Sequence, residues 1–285
     1  MITSLRLRRA GAELLNQRQR PVRPHNFEEQ IYHALIRRGD FVIDVGANDG
    51  GVSRFMSRLI GPEGKIVAFE PVWPTYVKLC RNTQDYTYDK CPILTVPCGL
   101  AETEKTARVQ VPDNQFSLAS LASAENWKRA QGSSGLVSYD CSFVALDEFL
   151  AAKQLGAPDF IKIDVEGAEI FALQGARKLL YGDARPPMLI EIFAPWERAF
   201  GYSPWDVLSF LMSAGYEFLF ACPEGLVEHN PSPRQPFPTA YVNGSNLVAL
   251  TKEHRERAKA LDPLRSGGGS EILPMSPPPE PNRVA

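Results

Sequence analysis

The sequence has 285 residues, 44% apolar and 22% charged, with 31 Lys and Arg against 33 Asp and Glu and a net charge of −2. That profile fits a water-soluble globular enzyme of one generous domain, and it excludes a fibre, a tail, or a chain whose overall field attracts nucleic acid or an anionic membrane. No apolar run is long enough to span a bilayer, and five cysteines with neither a Cys-x-x-Cys pair nor zinc-spaced histidines predict reduced thiols in a cytoplasmic protein.

Residues 1–40 read as a basic, partly helical extension; Arg6, Arg8, Arg9, Arg18, Arg20 and Arg23 do not keep to one helix face, which predicts a solvated arm. Residues 41–252 read as a single domain, because short apolar runs alternate there with helix-period stretches, the signature of β-α units around a parallel sheet. Phe41–Val45 is the first predicted strand. Val52, Phe55, Met56, Leu59 and Ile60 then recur at helical spacing until Gly61 and Pro62 stop them. A strand over Lys65–Glu70, a helix over Trp73–Asn82 and a strand over Ile93–Pro97 follow, and Cys98-Gly99-Leu100 turns away from the sheet. Thr106–Val111 and Val137–Phe143 alternate apolar and polar residues, so they predict added strands flanking a loop rich in Ser, Ala and Asn. Leu146 opens a helix. Phe160–Asp164 and Met188–Phe193 are further strands, Ala168–Leu180 and Pro204–Ala214 helices, and Tyr216–Ala221 and Asn246–Leu250 the last strands, joined across the Pro-rich loop 223–238. Residues 262–285, with Gly-Gly-Gly and Pro-Pro-Pro runs, predict a disordered tail.

Two places along this chain carry chemistry. Asp44, Gly46, Ala47, Asn48, Asp49 and Gly50 lie between the first strand and its helix, where open α/β sheets hold nucleotide-like ligands. The loop has two glycines at G-x-x-x-G spacing, which is neither the three-glycine dinucleotide fingerprint nor a P-loop. Asp44 and Asp49 oppose a pyrophosphate but attract a ligand that carries an ammonium and a sulfonium, and S-adenosylmethionine is such a ligand. Glu70, ending the second strand, is placed to accept hydrogen bonds from ribose hydroxyls. The second place is Lys162-Ile-Asp164-Val-Glu166, where a period of two puts the three charged groups on one face at the carboxyl end of a central strand. Asp164 is the expected general base or anchor for an acceptor hydroxyl, and Glu166 the expected substrate-positioning group. Glu191, one strand over, is close enough in the predicted topology for a divalent ion held by Asp164, Glu166 and Glu191 to stand as an alternative; no metal is assigned. Trp196, Phe193 and Phe116 are candidates for stacking on a sugar ring or for packing. The four histidines have no partner at ligand or triad spacing.

The segments from Phe41 to Gly50, Ala68-Phe-Glu-Pro, Leu146-Asp-Glu-Phe and Ile161-Lys-Ile-Asp-Val-Glu-Gly-Ala-Glu closely resemble the FkbM-type methyltransferases, in the same order and over about 41–250. The resemblance implies a class I, Rossmann-like methyltransferase fold, a doubly wound seven-stranded sheet with its last strand antiparallel. It implies methyl transfer from S-adenosylmethionine to a hydroxyl oxygen on a small molecule, sugar, glycan or natural product, with no nucleic-acid partner. It matches Asp44, Gly46, Asn48 and Gly50 to the donor loop, Glu70 to the ribose acid, and Asp164 with Glu166 to the second hallmark. Ala47, Asp49 and Gly99, at the turn after the third strand, complete the expected donor site. The alternative from another class is a sensor or scaffold that binds S-adenosylmethionine without chemistry.

Overall fold

β1 (Phe41–Val45) is apolar at every position but Asp44, and all five residues are buried, as a strand covered on both faces requires. A computed structural model of the protein describes residues 25–84, 89–112, 119–120, 135–238 and 244–266. The basic arm through Arg23, Phe116, most of the loop between the two added strands, and the tail past Ser266 lie outside the described residues.

α1 (Phe27–Leu35) precedes β1. The Asn26 side chain caps it by accepting from the Glu29 amide at 2.8 Å. Its buried face, Phe27, Ile31, Tyr32 and Leu35, packs in one cluster with Val42 and with Phe55, Met56 and Ile60 of α2 (Gly51–Ile60). β2 (Lys65–Phe69), α3 (Trp73–Thr83) and β3 (Ile93–Val96) continue the first wing of the sheet. β7 (Phe160–Ile163), then β8 (Met188–Phe193), β9 (Glu217–Cys222), β10 (Gly225–Glu228) and β11 (Gly244–Leu250) form the second wing. The eight-stranded order is β10-β9-β11-β8-β7-β1-β2-β3. β1 pairs in parallel with β2 on one side and β7 on the other, so the chain changes wing between β1 and β7 and opens a crevice at their carboxyl ends. β11 runs antiparallel to both β8 and β9.

The expected seven strands are present with that antiparallel β11, and an eighth joins them. β10 lies inside the stretch read as a Pro-rich connection. Cys222 and Gly225 pair across Pro223 and Glu224, and Gly225 takes the positive φ of 122° that this tight reversal needs. The two added strands, β5 (Lys105–Pro112) and β6 (Leu136–Val144), pair antiparallel and form a separate small sheet with β4 (Gly99–Leu100). α4 (Leu146–Ala152) follows that sheet. The helix expected over 168–180 is broken into α5 (Glu169–Gly175) and α6 (Arg177–Tyr181). A Cβ at Gly175 would fall 2.0 Å from the Ala101 carbonyl, so the break sits where the chain passes against the end of β4. α7 (Ala194–Ala199) and α8 (Pro204–Ser213) lead on to β9.

At the opposite end of the sheet from the crevice, Arg257 donates to both Asp40 carboxylate oxygens (3.0 and 2.9 Å) and to the carbonyls of Leu35 and Asp159. One guanidinium thus joins α1, the entry to β1 and the entry to β7. Arg257→Met leaves the buried Asp40 carboxylate without its cation and is expected to destabilise the fold by about 2–3 kcal/mol, lowering the melting temperature by roughly 5–10 °C in thermal denaturation. The expected tail boundary at Asp262 falls inside a 3₁₀ turn in which Leu264 is buried and Arg265 pairs with Glu228 of β10. Among the described residues, no helix is long and apolar enough to cross a membrane.

Candidate active site

The crevice beyond β1 and β7 is a half-open cleft. Gly46, Asn48, Glu70, Gly99, Asp164 and Glu166 line it, six of the residues expected from the sequence, together with Pro71 and an apolar wall of Leu100, Val109 and Phe143 from the small sheet. That wall was not legible beforehand, because the small sheet meets the cleft only through tertiary packing.

The donor loop is shaped by backbone contacts to β2. The Gly46 and Ala47 amides donate to the Phe69 carbonyl at 3.1 and 2.9 Å, and the Asn48 amide donates to the Glu70 carboxylate at 3.1 Å. Gly46 has φ 77°, and a Cβ there would stand 1.8 Å from the Asp164 carbonyl, so the loop lies directly on the end of β7. Gly50, at φ 86°, lets α2 start against Leu79 of α3.

Asp44, Ala47, Asp49 and Gly50 do not line the cleft. Asp44 is fully buried; it accepts from the Ser53 hydroxyl and lies 3.7 Å from the Lys162 ammonium, so its charge is matched inside the protein. Asp49 points to solvent and caps the Gly51 amide at 3.1 Å. Neither acid opens directly on the cleft; each is held by partners of its own. Ser53 of α2 and Lys162 of β7 hold Asp44 inside the protein, and the Gly51 amide holds the Asp49 side chain at its surface.

Glu70 is buried, and its two oxygens accept from the Asn48 and Val72 amides at 3.1 and 2.9 Å. Burial pushes its carboxyl up to about 7, against those amides and the Lys162 charge. Lys162 is the buried cation of the site. Its ammonium is 3.0 Å from an Asp164 oxygen and donates to the Gly46 carbonyl at 3.3 Å. Burial disfavours its charge, but Asp164, Asp44 and Glu28 outweigh that and hold it protonated above the usual lysine range. Glu28, on α1, thus adds an acid that sequence spacing could not place here; burial raises its carboxyl, which accepts from the Tyr32 hydroxyl.

Asp164 keeps 37% of its side chain exposed. Burial works against its charge, but Lys162 and a hydrogen bond with Glu191 prevail and hold the carboxyl below the usual range. The Asp164 charge and then burial push Glu191 well above that range. Burial, then Asp164 and Glu169, do the same to Glu166. Of the three carboxyls, Asp164 is thus the one pushed toward its charged form, while Glu166 and Glu191 are pushed the other way. The three residues offer oxygens within 4.8 Å of one another, a donor set that a hard divalent cation accepts.

Glu166 reaches the cluster differently from the sequence expectation. β7 ends at Ile163, and Glu166 sits past it in a turn with φ 51° rather than on the strand face. Trp196 is only 2% exposed and hydrogen-bonds the Glu166 carboxyl, so it packs and positions instead of offering a stacking face. His229 and His254 bond to nearby backbone or Thr251 away from the cleft.

The methyltransferase FkbM domain family matches residues 44–218, more than half of the chain. Methyltransferase sdnD of Sordaria araneosa is 28% identical over 171 residues, covering 52% of this chain and 65% of that protein. The ubiquinone/menaquinone biosynthesis C-methyltransferase UbiE of Neisseria gonorrhoeae is 33% identical over 94 residues, 32% of this chain and 34% of that one. The chain thus spans less than two thirds of the length of these relatives. Among solved structures, methyltransferase FkbM from Methylobacillus flagellatus aligns with a TM-score of 0.43 at 18% identity, covering 78% of this chain and 50% of that one. The matched span runs from Asp44 of the donor loop, through Glu70 and the Asp164 cluster, into β9, and on that ground the chain belongs to the FkbM family of S-adenosylmethionine-dependent methyltransferases.

Proposed function

We propose that the cleft binds S-adenosylmethionine with its ribose on Glu70 and its adenine along Leu100, Val109 and Phe143, and that the methyl group passes to a hydroxyl oxygen of a sugar, glycan or natural product. The carrying observation is Asp164, a carboxyl that opens on the cleft and that Lys162 and Glu191 hold below the usual range. The residues suit the donor. Glu70 presents a carboxyl already oriented by two amides, and Gly46 lets the donor loop lie on the end of β7 beside it.

When bound, S-adenosylmethionine supplies a methyl carbon on a sulfonium, and transfer breaks that C–S bond as the O–C bond forms. Asp164 accepts the hydrogen bond of the acceptor hydroxyl and takes up its proton. Lys162 keeps Asp164 ionised and tied to Gly46, so donor loop and base share one rigid reference. Glu166, its carboxyl pushed toward the protonated form by burial, hydrogen-bonds an acceptor oxygen and orients it.

Incubation with methyl-labelled S-adenosylmethionine and sets of hydroxylated sugars and natural products tests the acceptor atom. A labelled O–CH₃ resonance in the product is expected, and label found only on nitrogen or carbon would overturn the oxygen assignment. Donor affinity carries a second expectation. Glu70 accepts ribose hydroxyls best as a carboxylate, so affinity should rise as pH climbs through about 7. The stability that neutral Glu70 gives the donor-free protein, complete below the ordinary carboxylate pKa, should fade over the same rise. Calorimetric titration between pH 6 and 8 reads the slope, which Glu70→Gln should flatten.

A further inference from the structure

The Glu166–Gly167 turn is held by groups that the chemistry above does not use. Glu166 has φ 51° and Gly167 φ 97°, two successive residues in the left-handed region, a conformation that a glutamate keeps only where its surroundings fix it. The Ser120 hydroxyl donates to the Glu166 carbonyl at 2.8 Å. The Gly167 amide donates to the Glu169 carboxyl at 3.0 Å. The Tyr202 hydroxyl donates to the Gly167 carbonyl at 2.8 Å and lies 3.2 Å from the other Glu169 oxygen. Both polar groups of the Gly167 backbone therefore end on Tyr202, one directly and one through Glu169. The ring of Tyr202 is itself fixed edge-on to Phe171 at 6.0 Å, and a Cβ on Gly167 would meet Phe200 at 2.7 Å.

We propose that Tyr202, in the turn between α7 and α8, is a positioning residue for the acceptor side of the cleft: through Gly167 and Glu169 it fixes the left-handed turn that presents the Glu166 carboxyl. The functional weight of this rests on the reading of Glu166 as the acceptor-orienting group. Release of Gly167 lets the Glu166 backbone relax toward right-handed values, which rotates its Cα–Cβ bond and swings the carboxyl away from both Trp196 and the cleft.

The Trp196 indole N–H, which hydrogen-bonds Glu166, reports this in solution. Nitrogen-15 spectra of the ligand-free protein, with the Trp196 resonance assigned by its loss in Trp196→Phe, are compared for Glu166→Gln and Tyr202→Phe. Tyr202→Phe removes one oxygen and keeps the ring packed. It is expected to move the Trp196 resonance in the same direction as Glu166→Gln and by a comparable amount, while the other indole resonances stay. A Trp196 resonance that stays in place in Tyr202→Phe overturns the proposal, as does one that fails to respond to Glu166→Gln. If Tyr202→Phe does not fold, Ser120→Ala, which frees the Glu166 carbonyl of the same turn, replaces it with the same two outcomes. No ligand enters the measurement, so failure to bind S-adenosylmethionine and failure of this proposal are distinguishable.

Discussion

Gly46→Ala is expected to abolish donor binding and to lower the melting temperature by more than about 10 °C. Two effects add. The left-handed backbone at φ 77° costs an alanine roughly 1–2 kcal/mol by itself. The larger effect is steric, because the new Cβ would stand 1.8 Å from the Asp164 carbonyl, a main-chain atom that moves only if β1 and β7 separate at their carboxyl ends. Separation there also breaks the Lys162 contacts to Gly46 and Asp44. Gly39→Ala is the control. Gly39 has φ 84° with nothing within 4 Å of an added Cβ, so it carries the conformational strain alone and should lose only about 3–6 °C. Equal losses in the two variants would show that the close approach of the donor loop to β7 is not what Gly46 serves.

Asp164→Asn is expected to slow methyl transfer on the order of a hundredfold or more, with donor affinity kept within a few-fold. Asn preserves the shape of the side chain and can still accept from Lys162, but it cannot take up the acceptor's proton. Lys162 keeps Asp44 at 3.7 Å as counter-ion, so the buried cation is not left unpaired and the fold should survive. Steady-state kinetics on the acceptor, with and without a chelator, separate the roles. Wild-type turnover in Asp164→Asn would remove the base assignment. Wild-type activity lost to a chelator and restored by a divalent ion would make Asp164 a ligand in the three-carboxylate set rather than a base.

The main sheet was legible because its central strands are short apolar runs, and every residue of β1 and β7 is buried as those runs imply. α2 was legible through its buried Phe55, Met56 and Ile60 and through Gly61, which ends it at φ 70°. β10 was hidden because its pairing depends on the edge of β9 rather than on local alternation, and the prolines on either side of it, from Pro223 and from Pro231 on, read as a loop. The break between α5 and α6 was hidden because the cause is the Ala101 carbonyl, 74 residues away from Gly175.

The site shows the same division. Spacing put Gly46, Asn48, Glu70, Asp164 and Glu166 around one cleft, but it did not say which way each acid points. Asp44 turned inward to Ser53 and Lys162 because those partners lie on α2 and β7, and nothing near Asp44 in the chain reveals them. Glu28 reaches the Lys162 field from α1, and Tyr202 reaches Gly167 from 35 residues downstream. Such contacts are set by packing of whole elements, beyond the reach of periodicity.

A crystal structure of the chain with S-adenosylhomocysteine, the demethylated product, tests the central claim most directly. The account predicts ribose hydroxyls on the Glu70 carboxylate, adenine against Leu100, Val109 and Phe143, and the sulfur facing Asp164 and Glu166. Product bound elsewhere, or bound here with its sulfur turned away from Asp164, would contradict it.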